Sequence, residues 1–457
     1  MADKFRQDLT KGSVGKQLVK FSIPFLLSNL LQAFYSVADM IIVGKLGDEH
    51  GYGLAGVNIG SQINILVTGA AFGLAVGGTV LIAQYAGAKK FDDQRKTIGT
   101  LFTTYMILSV VFTVAMLLLN NTLLDLLNTP KGETFREAKN YYNICMSGMV
   151  FMFAYNVISA ILRGMGDSKR PLYFVLIAAI VNIIGDIVLV GPFKMGAAGA
   201  ACATVGAQGL SVVLSLIYLF SNHFFDGFRK SDFKIDKEKL KMLLKIGLPS
   251  SVQQIVVSFS FLTLTSLINS FDVENAVIYS NCQGIGGKVN SFAVLPSLAM
   301  SSAVSSMAGQ NIGAGKTERA KKTMTTGMWI AFAISLVVFV IVQAFPETIL
   351  MLFTDNREVI NVGKEYMRFI ALDYLFVPFL FCMNGLAIGA GYTNFALFNA
   401  CFSSILVRVP FAYLVVYFTD LGFNGIGLAT GVASVASIIV GVIFVMSGKW
   451  KKPKIKI

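Results

Sequence analysis

Twelve long apolar segments run through the sequence, and they constrain its fold more than any other feature. Each is about 20 residues or longer, the length at which an α-helix crosses the hydrocarbon core of a bilayer. Helices are expected because they satisfy their own backbone hydrogen bonds in lipid, and because these segments do not alternate in polarity as barrel strands do. The sequence therefore predicts an all-α polytopic membrane protein with twelve transmembrane helices. The predicted spans are residues 17–42, 54–82, 98–120, 139–162, 171–191, 197–221, 246–270, 277–308, 324–345, 361–387, 395–418 and 424–447.

The second half of the chain repeats the first. A shift of 225 positions places Pro24 on Pro249, and a shift of 226 places Thr204 on Thr430. Six spans per half return each half to the side of the membrane on which it begins, so the halves share one orientation. Repeats of this kind are related by an axis along the membrane normal. The expected architecture is two parallel-repeat six-helix lobes.

The N-lobe is expected at residues 1–223 and the C-lobe at 246–457, with a linker at 224–245. The linker is the most charged stretch of the chain, and its apolar residues alternate with lysines. A basic helix with one apolar side is typical of segments that lie on a membrane surface. We therefore expect a cytoplasmic amphipathic linker helix on the inner leaflet.

The net charge of +13 is unevenly distributed along the chain. Most of the 38 lysines and arginines fall in segments on the same side of the predicted spans as the N-terminus. Cytoplasmic loops carry such an excess, so we expect a multi-pass protein of the cell membrane with both termini in the cytoplasm. Because topology accounts for the basic surplus, nucleic acid is not expected as a partner.

Histidine and cysteine usage argues against an enzyme embedded in the membrane. The chain has two histidines and no HExxH motif, and its five cysteines lie in predicted spans without a CxxC pair. Membrane enzymes need a metal motif of this kind or a nucleophile with a paired base. We expect no catalytic residues and no cofactor.

Asp39, in the first span, is an ionisable residue expected within the membrane. Such residues are costly in lipid and mark functional sites. Asn29, Gln32, Ser36 and Asp39 are spaced three, four and three residues apart, which aligns them on one face of a helix. We expect this face to line a water-filled cavity or another helix.

Asp186, in the fifth span, follows Asn182 by one helical turn, so the two residues share a face. Carboxylate and amide oxygens suit Na⁺, whereas a carboxylate alone can carry a proton. Thr204, in the sixth span, adds a hydroxyl group. These residues predict a site for a proton or a small cation.

The repeat provides an internal control for these polar residues. If the two acids were needed only for the fold, the second half would be expected to carry them as well. It carries apolar residues at both positions, and only the threonine is kept. The pairs, first half then second, are Asp39 and Leu264, Asn182 and Val407, Asp186 and Phe411, and Thr204 and Thr430. This difference between the halves indicates that Asp39 and Asp186 serve a function and are not needed only for the fold.

Several segments together resemble one family of transporters. They are "IPFLLSNLLQAFYSVADMIIVGKLG" at 23–47, "ILRGMGDSKRP" at 161–171, "GAAGAACAT" at 196–204 and "VRVPFAYL" at 407–414. With the repeated halves, the chain resembles the multidrug and toxic compound extrusion (MATE) transporters of the prokaryotic DinF type. This family belongs to the multidrug/oligosaccharidyl-lipid/polysaccharide flippase superfamily.

The resemblance implies a V-shaped pair of six-helix lobes that alternate between inward and outward access. It also implies that Asp39, Asn182, Asp186 and Thr204 form the site for the coupling ion, H⁺ or Na⁺. Some members carry an acid on the seventh helix, but the corresponding segment here, "SSVQQIVVSFSF", has none. A cation site in the second half is therefore not expected.

The implied function is cation-coupled antiport that exports amphipathic, often cationic, drug-like compounds, by a protein acting as a monomer among membrane lipids. Eighteen methionines and 37 phenylalanines can supply adaptable apolar walls for varied compounds. The candidate residues of the substrate cavity are Asn29, Gln32, Tyr35, Asn156, Asp373 and Arg408.

A flippase for lipids or lipid-linked oligosaccharides, from the same superfamily, remains an alternative. Such a protein is expected to present several cations to a pyrophosphate group. The cations within predicted spans are Lys288, Arg368 and Arg408, all in the second half.

Overall fold

The computed structural model of the chain describes residues 5, 7–47, 52–127, 129–272 and 274–452. Over these residues the regular structure is helical throughout, without a strand. The ends of the two predicted lobes, 1–4 and 453–457, lie outside the described residues. The α-helices are α1 Val14–Leu46, α2 Tyr52–Gly87, α3 Phe91–Leu118, α4 Asn120–Leu126, α5 Glu133–Ser147, α6 Met149–Gly164, α7 Lys169–Val190, α8 Gly196–Ser221, α9 Lys237–Phe271, α10 Ala276–Gly313, α11 Thr317–Ala344, α12 Pro346–Met351, α13 Arg357–Ala371, α14 Val377–Gly389, α15 Thr393–Cys401, α16 Val409–Phe418 and α17 Gly422–Met446.

Ten helical segments of the described chain are long and apolar enough to cross a membrane, and two bent pairs bring the total to twelve spans. Helices α5 and α6 meet at 46° around Gly148, and α13 and α14 meet at 40° after a short 3-10 segment, Leu372–Leu375. The prediction of an all-α polytopic membrane protein with twelve transmembrane helices is confirmed. The two bends were not predicted, because the apolar character of each span continues across its break.

The repeat recurs in matching backbone contacts. In the first half, a Cβ atom on Gly164 of α6 would lie 2.8 Å from the carbonyl oxygen of Thr79 in α2. In the second half, a Cβ atom on Gly389 of α14 would lie 2.4 Å from the carbonyl oxygen of Ser305 in α10. Both glycines allow an approach of two helices that a larger residue prevents. The same pair of helices therefore packs in the same way in both halves.

The described helices form two compact units. The first unit contains α1 from Leu27 onward, α2 to α8, α9 up to Leu248, and the described residues up to Asp8. The second unit contains Leu9–Leu26, α9 from Pro249 onward, and α10 to α17. The predicted division into N-lobe, linker and C-lobe stays a prediction.

Each unit has its own packed interior. In the first unit, the rings of Tyr105 and Phe153 pack with their centroids 5.7 Å apart, and the Tyr105 hydroxyl donates to the carbonyl oxygen of Ala71. In the second unit, the largest apolar cluster is rich in alanine and methionine from α10, α11 and α14. Small side chains at such contacts let membrane helices pack closely.

The linker differs from the predicted surface helix. Residues 237–245 form the first turns of α9, which continues without a break into the following span. Asp236 caps this helix, because its Oδ1 accepts from the backbone N–H groups of Glu238 and Lys239 at 2.9 and 3.1 Å. Before the cap, the linker forms turns and a 3-10 segment, Lys230–Phe233. The helix runs on through Gly247 and Pro249, so the predicted linker helix and the seventh span are one helix.

Candidate ion-coupling site

The four polar residues predicted to form a site converge inside the first unit. Asp39 projects from α1, Asn182 and Asp186 from successive turns of α7, and Thr204 from α8. The exposed fraction is 8% for Asp39, 2% for Asn182 and 0% for Asp186. Three helices therefore deliver two carboxyl groups, an amide and a hydroxyl to one buried position.

Close packing of α7 against α8 brings two of these residues to the same depth. A Cβ atom on Gly185 would lie 2.9 Å from the Cβ atom of Ala203, a distance that real Cβ atoms almost never show. Gly185 immediately precedes Asp186, and Ala203 immediately precedes Thr204. Glycine at 185 therefore permits the helix contact that sets the acid beside the hydroxyl.

Hydrogen bonds link three of the four side chains. Asn182 Nδ2 donates to Thr204 Oγ1 at 3.3 Å, and the Thr204 hydroxyl donates to Asp39 Oδ2 at a long 3.5 Å. Asp186 lies beside Asp39, close enough for a hydrogen bond between the two carboxyl groups. Because ionised carboxylates only accept, such a bond requires that one of them holds a proton.

Four buried oxygens of this cluster have no hydrogen-bond donor: Asp39 Oδ1, Asn182 Oδ1 and both oxygens of Asp186. Buried polar atoms are normally paired, and an unpaired carboxylate is costly in a poorly polarisable interior. A proton shared by the carboxyl groups, or a small cation bound by the oxygens, would satisfy them.

The donor set indicates which ions fit. Across the described residues, no three His, Cys, Asp or Glu side chains group together as a metal site. Two carboxylates, an amide oxygen and a hydroxyl are hard oxygen ligands, which suit hard cations better than softer metals such as Zn²⁺ or copper. The cluster suits H⁺ or Na⁺.

Two tyrosines lie near Asp39. Tyr35, a predicted cavity residue, lies near Asp39 and Tyr155. Tyr141 also lies near Asp39, and Cys145 follows one turn later on the same helix, α5. Sequence reasoning missed Tyr141, Cys145 and Tyr155. The spacing of four between Tyr141 and Cys145 was the available signal, but a tyrosine and a cysteine one turn apart are common in apolar helices.

The remaining cavity candidates of the first unit are less closely associated with the acids. Asn29 and Gln32 are half-buried on α1, on the turns that precede Asp39. Asn156 Nδ2 donates at 2.9 Å to the carbonyl oxygen of Met152 in its own helix. The amide of Asn156 is therefore engaged locally on α6.

The second unit has an apolar core at the position of the α1 acid. Leu264 is 3% exposed and belongs to an apolar cluster. Asp373 and Arg408 are both buried elsewhere in this unit. Lys288 on α10 and Arg368 on α13 are exposed on the surface of the unit.

Twelve spans in two repeated halves, with two acids buried together in one of them, define a multi-pass membrane protein of the transporter class. A family model described as MatE matches the chain twice, over residues 24–188 and 249–414. The two matches start 225 residues apart, which is the spacing of the internal repeat. The chain belongs to the MatE family.

Relatives of this family match nearly the whole chain. Over 452 residues the chain is 30% identical to the probable multidrug resistance protein YpnP of Bacillus subtilis (strain 168), with 98% of each chain covered. It is 26% identical over 446 residues to the probable multidrug resistance protein NorM of Thermotoga maritima, which covers 96% of this chain and 94% of the relative. A solved outward-facing multidrug resistance MATE family transporter matches with a TM-score of 0.89, 26% identity and 96% of each chain covered.

Proposed function

We propose that this protein is a cation-coupled antiporter that exports amphipathic, often cationic, drug-like compounds by alternating access. The observation that carries the proposal is the buried pair of Asp39 and Asp186, three of whose oxygens, together with Asn182 Oδ1, lack a hydrogen-bond donor. The relatives YpnP and NorM, which are named as probable multidrug resistance proteins, support the substrate class. The coupling ion is H⁺ or Na⁺, and the ligands are Asp39, Asn182, Asp186 and Thr204.

In the proposed mechanism, the ion and the substrate do not bind at the same time, because binding of one disfavours binding of the other. An ion can shift the balance between two access states only if it binds one of them more tightly. Without an ion, the charges of Asp39 and Asp186 repel one another in a poorly solvated interior. A bound proton or Na⁺ removes this repulsion, so α1, α7 and α8 pack more tightly and disfavour the substrate-bound state.

We also propose the orientation and state in which the protein works. The excess of lysine and arginine on the N-terminal side of the spans supports an orientation with both termini in the cytoplasm. The protein acts as a monomer in the cell membrane, and its N-lobe and C-lobe, at 1–223 and 246–457, move as the two alternating bodies.

The direct test is efflux of a fluorescent amphipathic cation from proteoliposomes under separate H⁺ and Na⁺ gradients. We expect Asp39→Asn and Asp186→Asn each to reduce gradient-driven efflux at least about tenfold, within the usual range of coupling between sites. The matched control is Asp125→Asn, because Asp125 is 53% exposed and pairs with Lys131 at the surface of the same unit. Undiminished gradient-driven efflux by both acid variants would overturn the proposal.

Flipping of a lipid or lipid-linked oligosaccharide is the second candidate. Buried Arg408 and exposed Lys288 favour it, because a pyrophosphate needs cations within the membrane. Expression of the chain in a drug-sensitive strain and in a flippase-deficient strain separates the candidates. Rescue of the second strain without a change in drug susceptibility would establish the flippase.

A further inference from the structure

An open apolar cleft lies on the exposed surface of the first unit, beside the linker. Its volume is about 540 Å³, and it is lined by α3 between Phe102 and Val111 and by Phe233 of the linker. Ile107 and Val110 of α3 are at least half exposed. From Phe102 to Val111 the helix rises about 13 Å, close to half of the roughly 30 Å hydrocarbon core of a bilayer. The cleft therefore matches one acyl chain in polarity and in length.

The side of the cleft formed by Phe233 is held in place by the folded linker. The Thr103 hydroxyl of α3 donates to the carbonyl oxygen of Phe233 at 2.7 Å. The backbone N–H of Asp236 donates to the Thr100 hydroxyl, also on α3, at 3.1 Å. The ring of Phe233 packs against that of Phe228 with the centroids 5.8 Å apart. The linker therefore forms a fixed side of the cleft.

Two lysines flank this contact between the linker and α3. Lys234 follows Phe233 directly, and Lys96 lies one turn before Thr100 on the same face of α3. Both lysines are exposed, and neither forms an ion pair with a described residue. The neighbouring acid, Asp236, is engaged as the cap of α9. Two ammonium groups are therefore available to an anion at the end of the cleft nearer the start of α3.

In the orientation proposed above, α3 starts in the cytoplasm, so this end of the cleft lies at the headgroup level of the inner leaflet. We propose that the cleft binds one anionic phospholipid, with an acyl chain along α3 and the phosphate between Lys96 and Lys234. The ammonium groups donate charge-assisted hydrogen bonds to the phosphate oxygens. None of these residues belongs to the ion-coupling cluster, so the site goes beyond the proposed transport function.

The charge of the site distinguishes between classes of lipid. The headgroup of phosphatidylglycerol has a net negative charge, whereas phosphatidylcholine carries its own cation next to the phosphate. The apolar cleft accepts the acyl chains of both lipids, but the two lysines favour the headgroup without a cation. A preference for phosphatidylglycerol over phosphatidylcholine is therefore the signature of this site.

The test is a lipid titration of the delipidated full-length protein in detergent, followed by native mass spectrometry. The lipids are dioleoyl phosphatidylglycerol and dioleoyl phosphatidylcholine. We expect the first phosphatidylglycerol to bind at least about fivefold more tightly than the first phosphatidylcholine, which corresponds to the attraction of about one lysine at a membrane surface. Lys96→Gln/Lys234→Gln removes this preference. Ile107→Trp fills the cleft and weakens the binding of phosphatidylglycerol by a similar factor, although both lysines remain.

The chain offers a matched control for each variant. Lys241→Gln/Lys322→Gln removes two other exposed lysines, and Lys322 of α11 is the counterpart of Lys96, 226 residues later. Ile184→Trp adds the same bulk on α7, at a side chain that is 57% exposed. Both controls are expected to keep the affinities of the wild type for the two lipids.

Three results would overturn the proposal. The first is an equal affinity of the wild type for the two lipids. The second is a preference for phosphatidylglycerol that survives in the double lysine variant, or that falls equally in its control, because the preference would then come from general surface charge. The third is an unchanged affinity for phosphatidylglycerol in the variant with the filled cleft, because the lipid would then bind elsewhere.

Discussion

Asp93 and Arg319 occupy equivalent positions, 226 residues apart, and carry charges of opposite sign. Each is the third residue of its helix, α3 or α11. The carbonyl oxygen of Asp93 accepts from the Thr97 hydroxyl at 2.7 Å, and that of Arg319 accepts from the Thr323 hydroxyl at 2.9 Å. Equivalent positions on α3 and α11 therefore carry an acid in one half and a base in the other.

Each of these residues holds a segment that leads into the first helix of a repeat. Asp93 Oδ1 accepts from Lys239 Nζ at 2.7 Å, and Lys239 belongs to the first turn of α9. The Arg319 guanidinium donates to the carbonyl oxygens of Lys11 and Gly12, both at 2.8 Å, just before α1. Equivalent segments are thus held by an acidic acceptor in the first half and by a basic donor in the second.

The ion pair of Asp93 and Lys239 predicts an asymmetric response to mutation. The Lys239 side chain is 7% exposed and the Asp93 side chain is 39% exposed. Asp93→Asn leaves the buried Lys239 ammonium with only the Tyr85 hydroxyl as a side-chain partner. We therefore expect this substitution to lower the free energy of unfolding by about 1–3 kcal/mol. Lys239→Met leaves the Asp93 carboxylate partly hydrated, so we expect the free energy of unfolding to fall by less than about 1 kcal/mol. Thermal unfolding in detergent measures both, and equal losses would contradict the assignment.

Arg319 is predicted to anchor the segment before α1. It also donates to Gln17 Oε1 at 2.8 Å, so Arg319→Gln removes several hydrogen bonds at once. We expect limited proteolysis to cleave the Arg319→Gln variant faster than the wild type within residues 8–13. Mass spectrometry of the fragments identifies the cleavage site. The control is Lys321→Gln, an exposed position two residues further along α11. The same cleavage rate in both variants would show that Arg319 does not hold the segment.

Gly164 and Gly389 are predicted to respond alike to an added methyl group. Each faces a backbone carbonyl at less than 3 Å from a Cβ atom, so alanine at either position is expected to destabilise the fold by about 1–3 kcal/mol. Gly206→Ala of α8 is the control, because its Cβ atom would meet nothing within 4 Å. Alanine there is expected to be neutral or to stabilise by up to about 1 kcal/mol. Tolerance of alanine at both 164 and 389, seen in melting temperatures, would contradict the close packing.

Variants of Thr204 and Thr430 can distinguish coupling to Na⁺ from coupling to H⁺. The Thr204 hydroxyl bonds within the acid cluster, and Thr430 is its equivalent in the second half. Because a proton needs no hydroxyl ligand, Thr204→Val is expected to weaken Na⁺-driven transport several-fold and to change H⁺-driven transport little. Thr430→Val is the matched control and is expected to change neither. A loss of both kinds of transport in Thr430→Val alone would assign coupling to the second half.

The spans and the acid site were predictable because their signals are local. Apolar runs mark membrane helices wherever they occur, and a spacing of four placed Asn182 and Asp186 on one face of a helix. The repeat then served as a control, which distinguished Asp39 from residues needed by both halves. The structure brings these residues together as that reasoning expected, and their role in coupling stays a prediction.

Other features depend on distant parts of the chain and left no local signal. Lys239 and Asp93 are 146 residues apart, and nothing in either segment indicates its partner. The bend at Gly148 and the π segment Phe402–Arg408 lie inside apolar runs, where hydropathy is the same for any helical geometry. The continuous α9 was missed because charge was taken to end the span, whereas the helix extends beyond the apolar region.

The most direct test of the central claim is the affinity for a fluorescent amphipathic cation, measured in detergent across a range of pH and Na⁺ concentration. If ion and substrate exclude one another through Asp39 and Asp186, the Kd of the wild type changes about 5- to 150-fold across that range. The dependence disappears in Asp39→Asn and Asp186→Asn. A Kd that keeps its full dependence on pH and Na⁺ in both variants would contradict a coupling site in the first half.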